Sequence, residues 1–257
     1  MTLPAERRQQ IANIVKERKG VTCVELCRHF GVSPGTVRKD LETLEEQGCL
    51  QRTYGGAVLS EPTQEKTVRF AEREVINAEI KERIGACAAE MVCDGETVFI
   101  DASTTSLFVA KHLRGRRGLT VITNAERVVS TLCDEVGIRV ICTGGELRKS
   151  NLSYVGETAE ALIRDGFYAD KMFFSCCGIS KNFGIFDAVE SEANIKKAMF
   201  TSAKEVILLC DSSKFEKLGF PKLADFDLVQ AVVTELPVDS TWAGLFDERG
   251  IRVLTAQ

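Results

Sequence analysis

The sequence predicts an α/β chain in two parts, a small helical module closed by a hairpin and a larger domain on a mostly parallel sheet. Over the first fifty residues, apolar side chains recur at the three- and four-residue spacing of short helices. Beyond residue 78, seven short apolar runs alternate with helix-sized stretches, the pattern of parallel strands covered on both faces. Between them, residues 59–77 are polar and carry no clear core stripe, which reads as a linker, partly helical at most. The expected boundaries are therefore 1–58, 59–77 and 78–257.

From Glu6 to Arg18, Ile11, Ile14 and Val15 mark the apolar side of a first helix. Thr22 is placed to cap a second, which carries Val24, Leu26 and Cys27 to Phe30. Gly31 stops it, because glycine accepts the left-handed conformation at a helix C-terminus. Ser33 before Pro34 is a favoured N-cap followed by a favoured first helical residue, so a third helix starts there. Its apolar face is Val37, Leu41 and Leu44, and Gly48 ends it. Residues 50–58, with Gly55-Gly56 at the turn, read as a β-hairpin. These pieces in this order describe a winged helix-turn-helix, whose third helix lies in the DNA major groove.

The overall charge of -4 taken alone speaks against nucleic acid. Its distribution does not. Residues 1–39 hold eight Lys and Arg against three acids, whereas Asp40, Glu42, Glu45 and Glu46 are the only charges of 40–46. The start of the third helix can face DNA while its acidic end points away. Lys and Arg suit phosphates because they replace condensed counterions. Ser33, Thr36 and Arg38 offer the short polar groups and the bidentate fork that read base edges. Charge by itself leaves open that Arg38 and Lys39 pair with Glu42 and its neighbours on a solvated face. The spaced stop, cap and hairpin favour double-stranded DNA.

In open α/β sheets, ligands bind outside the carboxyl ends of the strands. The expected strands are 97–101, 119–123, 138–142, 171–175, 206–210, 228–234 and 251–255. The first is followed by Ser103-Thr104-Thr105, the second by Asn124, and the third by Gly144-Gly145 and then Arg148-Lys149. Cys176-Cys177-Gly178 follows the fourth, and Asp211 and Lys214 follow the fifth. A helix opened by Ser103 presents backbone N–H groups beside the Thr104 and Thr105 hydroxyls, a natural anion site. Arg148, Lys149 and Lys214 add positive charge to the same rim, and Asp101, Asn124 and Asp211 suit sugar hydroxyls. The same residues are open to a plainer reading in which 103–105 merely cap their helix. Taken together, the rim points to a phosphorylated sugar.

Ten cysteines include no C-x-x-C pair, and only His29 and His112 accompany them, so zinc-finger spacing is lacking and no cofactor is expected. Most lie beside apolar residues, as reduced buried thiols do. A metal or redox site at Cys23, Cys27 and His29, or at Cys176-Cys177, is the alternative. No apolar run approaches the roughly 18–20 residues of a membrane span, and the N-terminus lacks a signal-peptide core. A cytoplasmic protein with no membrane partner is expected.

Glu6-Arg7-Arg8, Phe30-Gly31-Val32-Ser33, Thr36-Val37-Arg38-Lys39-Asp40-Leu41, Gly48 and Arg52-Thr53-Tyr54-Gly55-Gly56-Ala57 resemble the DeoR/GlpR family of bacterial sugar-metabolism regulators. Phe99-Ile100-Asp101-Ala102-Ser103-Thr104-Thr105, Gly144-Gly145-Glu146-Leu147-Arg148, Gly178-Ile179-Ser180, Glu192 and Asp211-Ser212-Ser213-Lys214 look like its effector domain, which is similar to ribose-5-phosphate isomerase. The resemblance implies that Ser33, Thr36, Arg38 and Lys39 meet DNA, with Arg52 and Tyr54 in or near the wing. It adds Gly144, Gly145, Gly178 and Glu192 to an effector-binding set of Asp101, Ser103, Thr104, Thr105, Asn124, Arg148 and Lys214. Lys39 stands where a second Arg is typical and keeps the charge without the fork, which suits a phosphate contact. Ser103 stands where glycine is commonest, and its side chain narrows access to the backbone.

An isomerase-like domain also admits an enzyme, with Asp187, Glu190 or Glu192 as base and Lys196 or Lys214 stabilising an enediolate. The isomerases place their catalytic Glu after a glycine-rich loop, and residues 184–192 hold no glycine cluster. The expected function is thus not catalysis but repression of a carbohydrate-utilisation operon, with a phosphorylated sugar controlling DNA affinity. A metal- or redox-sensing regulator is the other alternative. One reading head makes few contacts, so a homodimer or homotetramer on a repeated operator is expected.

Overall fold

The computed structural model describes residues 4–18, 20–46, 49–53, 55–58 and 69–257. The chain forms two compact units, 1–66 and 67–257.

The first unit runs α1 (Pro4–Arg18), β1 (Gly20–Thr22), α2 (Cys23–Phe30), α3 (Pro34–Glu46), β2 (Gln51–Thr53) and β3 (Gly56–Val58). At the start of α2 the Thr22 hydroxyl accepts from the Glu25 N–H at 3.2 Å, and the Glu25 carboxylate accepts from the Thr22 N–H at 2.8 Å. This reciprocal cap satisfies two otherwise orphaned donors. Gly31, at φ 63°, closes the helix, its N–H reaching the Cys27 carbonyl at 2.9 Å. Ile11, Val15, Leu26, Val37, Leu41 and Leu44 are buried and form the core of the three helices. Strand β1, which carries no alternation in the sequence, pairs antiparallel with β3, so the expected hairpin is two strands of a three-stranded sheet. A Cβ at Gly56 would lie 2.0 Å from the Val21 carbonyl oxygen, so only glycine lets these strands approach. Gly48 and Tyr54 lie outside the described residues.

The second unit begins with α4 (Phe70–Val75), α5 (Ala78–Ala89), β4 (Thr97–Ile100), α6 (Thr104–His112), β5 (Leu119–Thr123) and α7 (Glu126–Leu132). It continues through β6 (Ile138–Cys142), β7 (Glu146–Arg148), β8 (Ser153–Val155), α8 (Glu157–Gly166), β9 (Ala169–Ser175), β10 (Gly178–Ser180) and β11 (Gly184–Phe186). Then come α9 (Glu190–Thr201), β12 (Ala203–Leu209), β13 (Lys222–Ala224), β14 (Ala231–Thr234), α10 (Ser240–Glu248) and β15 (Arg252–Thr255). The seven expected strands lie in one parallel sheet, in the order β15-β14-β12-β9-β4-β5-β6. Their side chains alternate between two cores. Phe99, Phe174, Leu208 and Val232 pack with Ile163, Met199 and Trp242 on one face. Val98, Ile100, Phe173, Ile207 and Val233 pack with Ile84, Leu107 and Val128 on the other. Burial on both faces is why these strands read as continuous apolar runs.

Residues 69–77, grouped with the linker on their polarity, belong to this second unit. Phe70 is buried in its core, and the Phe70 N–H donates to the Ser150 carbonyl at 3.0 Å. The hairpin β7–β8 and the small antiparallel sheet β10-β11-β13 follow the carboxyl ends of β6, β9 and β12, and none of them was legible in the sequence.

Candidate functional site

On the first unit, Ser33 caps α3: its hydroxyl accepts from the Thr36 N–H at 3.2 Å and lies 2.9 Å from the Thr36 hydroxyl. Arg38 and Lys39 are exposed on the same helix and form no ion pair among the described residues. The acids expected to hold them have other partners. Arg52 pairs with Glu45 at 3.0 Å and Glu42 at 3.8 Å, and its backbone N–H donates to Glu45 at 2.8 Å. Arg52, expected near DNA, therefore ties the wing strand β2 to the acidic end of α3. Asp40, expected to point away with the other acids, is buried, and Arg7 donates to it at 2.6 and 3.3 Å. The pair locks α1 to α3 and removes one cation from the basic excess of residues 1–39. Tyr54 lies outside the described residues.

On the second unit, a cavity of about 260 Å³ opens at the carboxyl ends of β4, β9 and β12. Of the expected effector residues, Ser103, Thr104, Thr105, Arg148, Glu192 and Lys214 line it. Asp101 is fully buried, accepting from the Ser103 N–H at 3.1 Å and the Ser175 N–H at 3.3 Å. Asn124, Gly144, Gly145 and Gly178 are not among its lining residues. Asn124 donates to the Tyr154 carbonyl at 3.1 Å and anchors β8. Gly145 and Gly178 answer to backbone crowding, because a Cβ would lie 2.6 Å from the Val155 oxygen and 2.3 Å from the Lys217 oxygen respectively. Ser103 has an ordinary φ of -84° and accepts from the Ser106 N–H at 3.1 Å, so serine serves here as the cap of α6. The Thr105 hydroxyl, one residue into the helix, is buried with no partner among the described residues.

The cations around the cavity differ in how far they are neutralised. Lys196 donates to Asp187 at 2.6 Å and to the Ser175 carbonyl at 2.8 Å, and lies 3.1 Å from Asp101. Burial opposes its charge, but Asp187 and then Asp101 outweigh burial and raise its pKa. Lys214 donates to the Ser175 hydroxyl at 2.7 Å and lies 3.3 Å from Asp211. Its pKa is likewise raised, burial being outweighed mainly by Asp211. Arg148 donates to Glu192 at 3.0 Å, and that carboxylate also accepts from Asn151 at 2.9 Å and from Ser153. Arg148 and Glu192, both expected at an effector, are therefore partners of each other.

Two cations that the sequence did not single out are the least compensated. Lys81, on α5, is buried and donates to the carbonyls of Arg73 and, at 2.6 Å, Ile76, with no carboxylate paired to it among the described residues. Burial first, and then the Lys214 charge, push its pKa down to about 8. Arg73, on α4, donates to Asn151, its Nε is buried without a partner among the described residues, and burial lowers its pKa. The one signal available for Arg73 was Phe70, an aromatic in an otherwise polar stretch and one helical turn away. The wall thus presents Arg73, Lys81, Arg148, Lys196, Lys214 and Lys217 against Asp187, Glu192 and Asp211. Even with the buried Asp101, 3.1 Å from Lys196, counted against them, the cations are in excess, and beside a helix N-terminus they suit an anion. Among the described residues no group of three or more His, Cys, Asp or Glu is placed to hold a metal ion.

Comparison with known proteins agrees with this division. The DeoR-like helix-turn-helix domain matches residues 7–63, and the DeoR C terminal sensor domain matches residues 76–236. The HTH-type transcriptional regulator YulB of Bacillus subtilis is 36% identical over 251 residues, covering 98% of this chain and 96% of that protein. The glycerol-3-phosphate regulon repressor of Escherichia coli is 33% identical over 232 residues, covering 90% and 91% respectively. A solved ribose 5-phosphate isomerase from Methanocaldococcus jannaschii is similar over 54% of this chain and 55% of its own, at 15% identity and a TM-score of 0.40. With both halves matched in order and nearly the full length aligned to such regulators, the chain belongs to the DeoR family of helix-turn-helix transcriptional regulators.

Proposed function

We propose that the protein is a repressor of a carbohydrate-utilisation operon whose affinity for double-stranded operator DNA is set by a phosphorylated sugar or polyol in the cavity of the second unit. The observation that carries the ligand class is the wall of that cavity, six cations against three carboxylates, with the Lys81 ammonium held only by carbonyl oxygens. A phosphate there supplies the missing negative charge, and the unpartnered Thr105 hydroxyl and the start of α6 supply donors. Asp187, Glu192 and Asp211 are available to hydroxyl groups of the same ligand. A relative that represses a glycerol-3-phosphate regulon supports this class of small phosphorylated carbohydrate. On the DNA side, Arg38 and Lys39, which form no ion pair among the described residues, are the contacts to base and phosphate, with Ser33 and Thr36 positioned at the helix start. The protein acts as a homodimer or homotetramer, which multiplies the contacts of a small reading head.

The test is fluorescence anisotropy with a labelled fragment of the upstream region, repeated across a panel of sugar phosphates and their unphosphorylated parents. A phosphorylated member is expected to shift DNA affinity by roughly 5–150-fold, the range of typical coupling energies. The parent sugar should do nothing, and Lys214→Ala should keep DNA binding while losing the response. Equal response to parent and phosphate would remove the phosphate from the assignment.

A further inference from the structure

Cys176 and Cys210 follow the carboxyl ends of β9 and β12, which are parallel neighbours with Ser175 opposite Leu209. The next residue on each chain segment is a cysteine, so the register brings Cys176 and Cys210 side by side, both on the same face of the sheet. Adjacent strands lie about 4.8 Å apart, inside the roughly 4.4–6.8 Å Cα separation that a disulfide spans. Cys176 lines the cavity and is 8% exposed, whereas Cys210 is fully buried, its thiol donating to the Asp211 carbonyl at 3.7 Å. The neighbouring ammonium groups of Lys214 and Lys196 favour negative charge at this place.

The three thiols around the cavity are consequently unequal. The neighbouring Cys210 thiol, helped by the Lys214 and Lys196 ammonium groups, lowers the Cys176 pKa from its ordinary value despite burial. Burial pushes both Cys177 and Cys210 well above it. One thiol lining a cavity, with a second, fully buried thiol beside it, is the arrangement of an attacking and a resolving cysteine.

We propose that Cys176 is a hydroperoxide-reactive modification site that closes a reversible disulfide with Cys210 in the wall of the cavity. The Cys176 sulfur gives up its proton and attacks one peroxide oxygen, the O–O bond breaks, and sulfenic acid forms with a hydroxide that takes up that proton and leaves as water. The Cys210 sulfur, giving up its proton, then attacks the Cys176 sulfur. The S–O bond breaks, the S–S bond forms, and the second hydroxide takes up that proton and leaves as water. Two thiols lose two electrons and the hydroperoxide gains them; a dithiol reductant reverses the change. The site depends on the strand register and the cavity, not on which ligand the cavity takes.

The test treats the full-length protein with hydrogen peroxide, blocks remaining thiols with iodoacetamide and maps peptides by mass. A Cys176–Cys210 linked peptide is expected, reversed by dithiothreitol and formed before the exposed Cys93 and Cys133 are oxidised. In Cys210→Ser the reaction stops at a Cys176 sulfenic acid that dimedone traps, and in Cys176→Ser neither residue reacts. Oxidation of Cys93 and Cys133 with Cys176 intact would overturn the proposal, as would a Cys176–Cys177 link in the unaltered protein. The mapping of the unaltered chain decides the question even if a serine variant fails to fold.

Discussion

Replacing Lys81 by Met removes one buried ammonium and keeps a side chain of similar length. The lysine has a folded pKa of about 8 against its ordinary 10.5, because burial and Lys214 disfavour its charge. A lysine depressed in this way binds fewer protons folded than unfolded between those two values, so its contribution to stability rises with pH through that window. Below the window the full penalty applies, two and a half pKa units or about 3 kcal/mol. Lost hydrogen bonds to the Arg73 and Ile76 carbonyls offset that penalty in the variant, so the absolute stabilities are a poor guide. The difference in pH slope is not affected by them. Between about pH 7 and pH 9.5 the unaltered protein should gain about 2 kcal/mol relative to Lys81→Met. The raised pKa values of Cys177 and Cys210 act in the same range but are common to both proteins and cancel. The assay is urea unfolding followed by the fluorescence of Trp242, the one tryptophan of the chain, which packs with Phe215, Phe226 and Phe246 in the second unit. Parallel stability curves for the two proteins would refute the account of Lys81. An anion bound beside Lys81 favours its protonated form, so ligand affinity should also weaken as pH rises through about 8.

Asp40→Ala removes the carboxylate that pairs with the buried Arg7 guanidinium and should destabilise the first unit by about 3–5 kcal/mol, read as loss of helical circular dichroism while Trp242 fluorescence is unchanged. Arg38→Ala, at an exposed position with no ion pair among the described residues, should abolish specific operator binding and move the unfolding midpoint by less than about 0.5 kcal/mol. Comparable loss of fold would assign Arg38 to structure. Gly178→Ala drives a methyl against the Lys217 carbonyl and should cost stability of the second unit by about 1–3 kcal/mol even without ligand. A ligand-binding defect at unchanged stability would return Gly178 to the binding site.

Local chemistry was readable wherever one residue type answers one local demand. The Thr22 cap, the Gly31 stop and the Ser33-Pro34 start each stand at the position expected of them. The parallel strands were readable because burial on both faces leaves an unbroken apolar run, as in Val98-Phe99-Ile100. Elements held mainly by distant partners were not. Strand β1 exists because β3 offers it a ladder, and α4 reads as polar because one residue, Phe70, does most of its anchoring.

The order of residues along the chain determined the two-part organisation, the helix ends, the strands and the rim on which hydroxyl, glycine and charged residues gather. The tertiary structure decided which charges remain available. A sequence shows that Arg38, Arg52, Arg148 and Lys214 are cations, yet pairing depends on carboxylates brought close by folding, and Coulomb energy follows distance through space. Folding commits Arg7 to Asp40, Arg52 to Glu45 and Arg148 to Glu192. It leaves Arg38 and Lys39 exposed on α3, and Arg73 and Lys81 at the cavity with no carboxylate paired to them among the described residues, so charge remains for a partner in each unit.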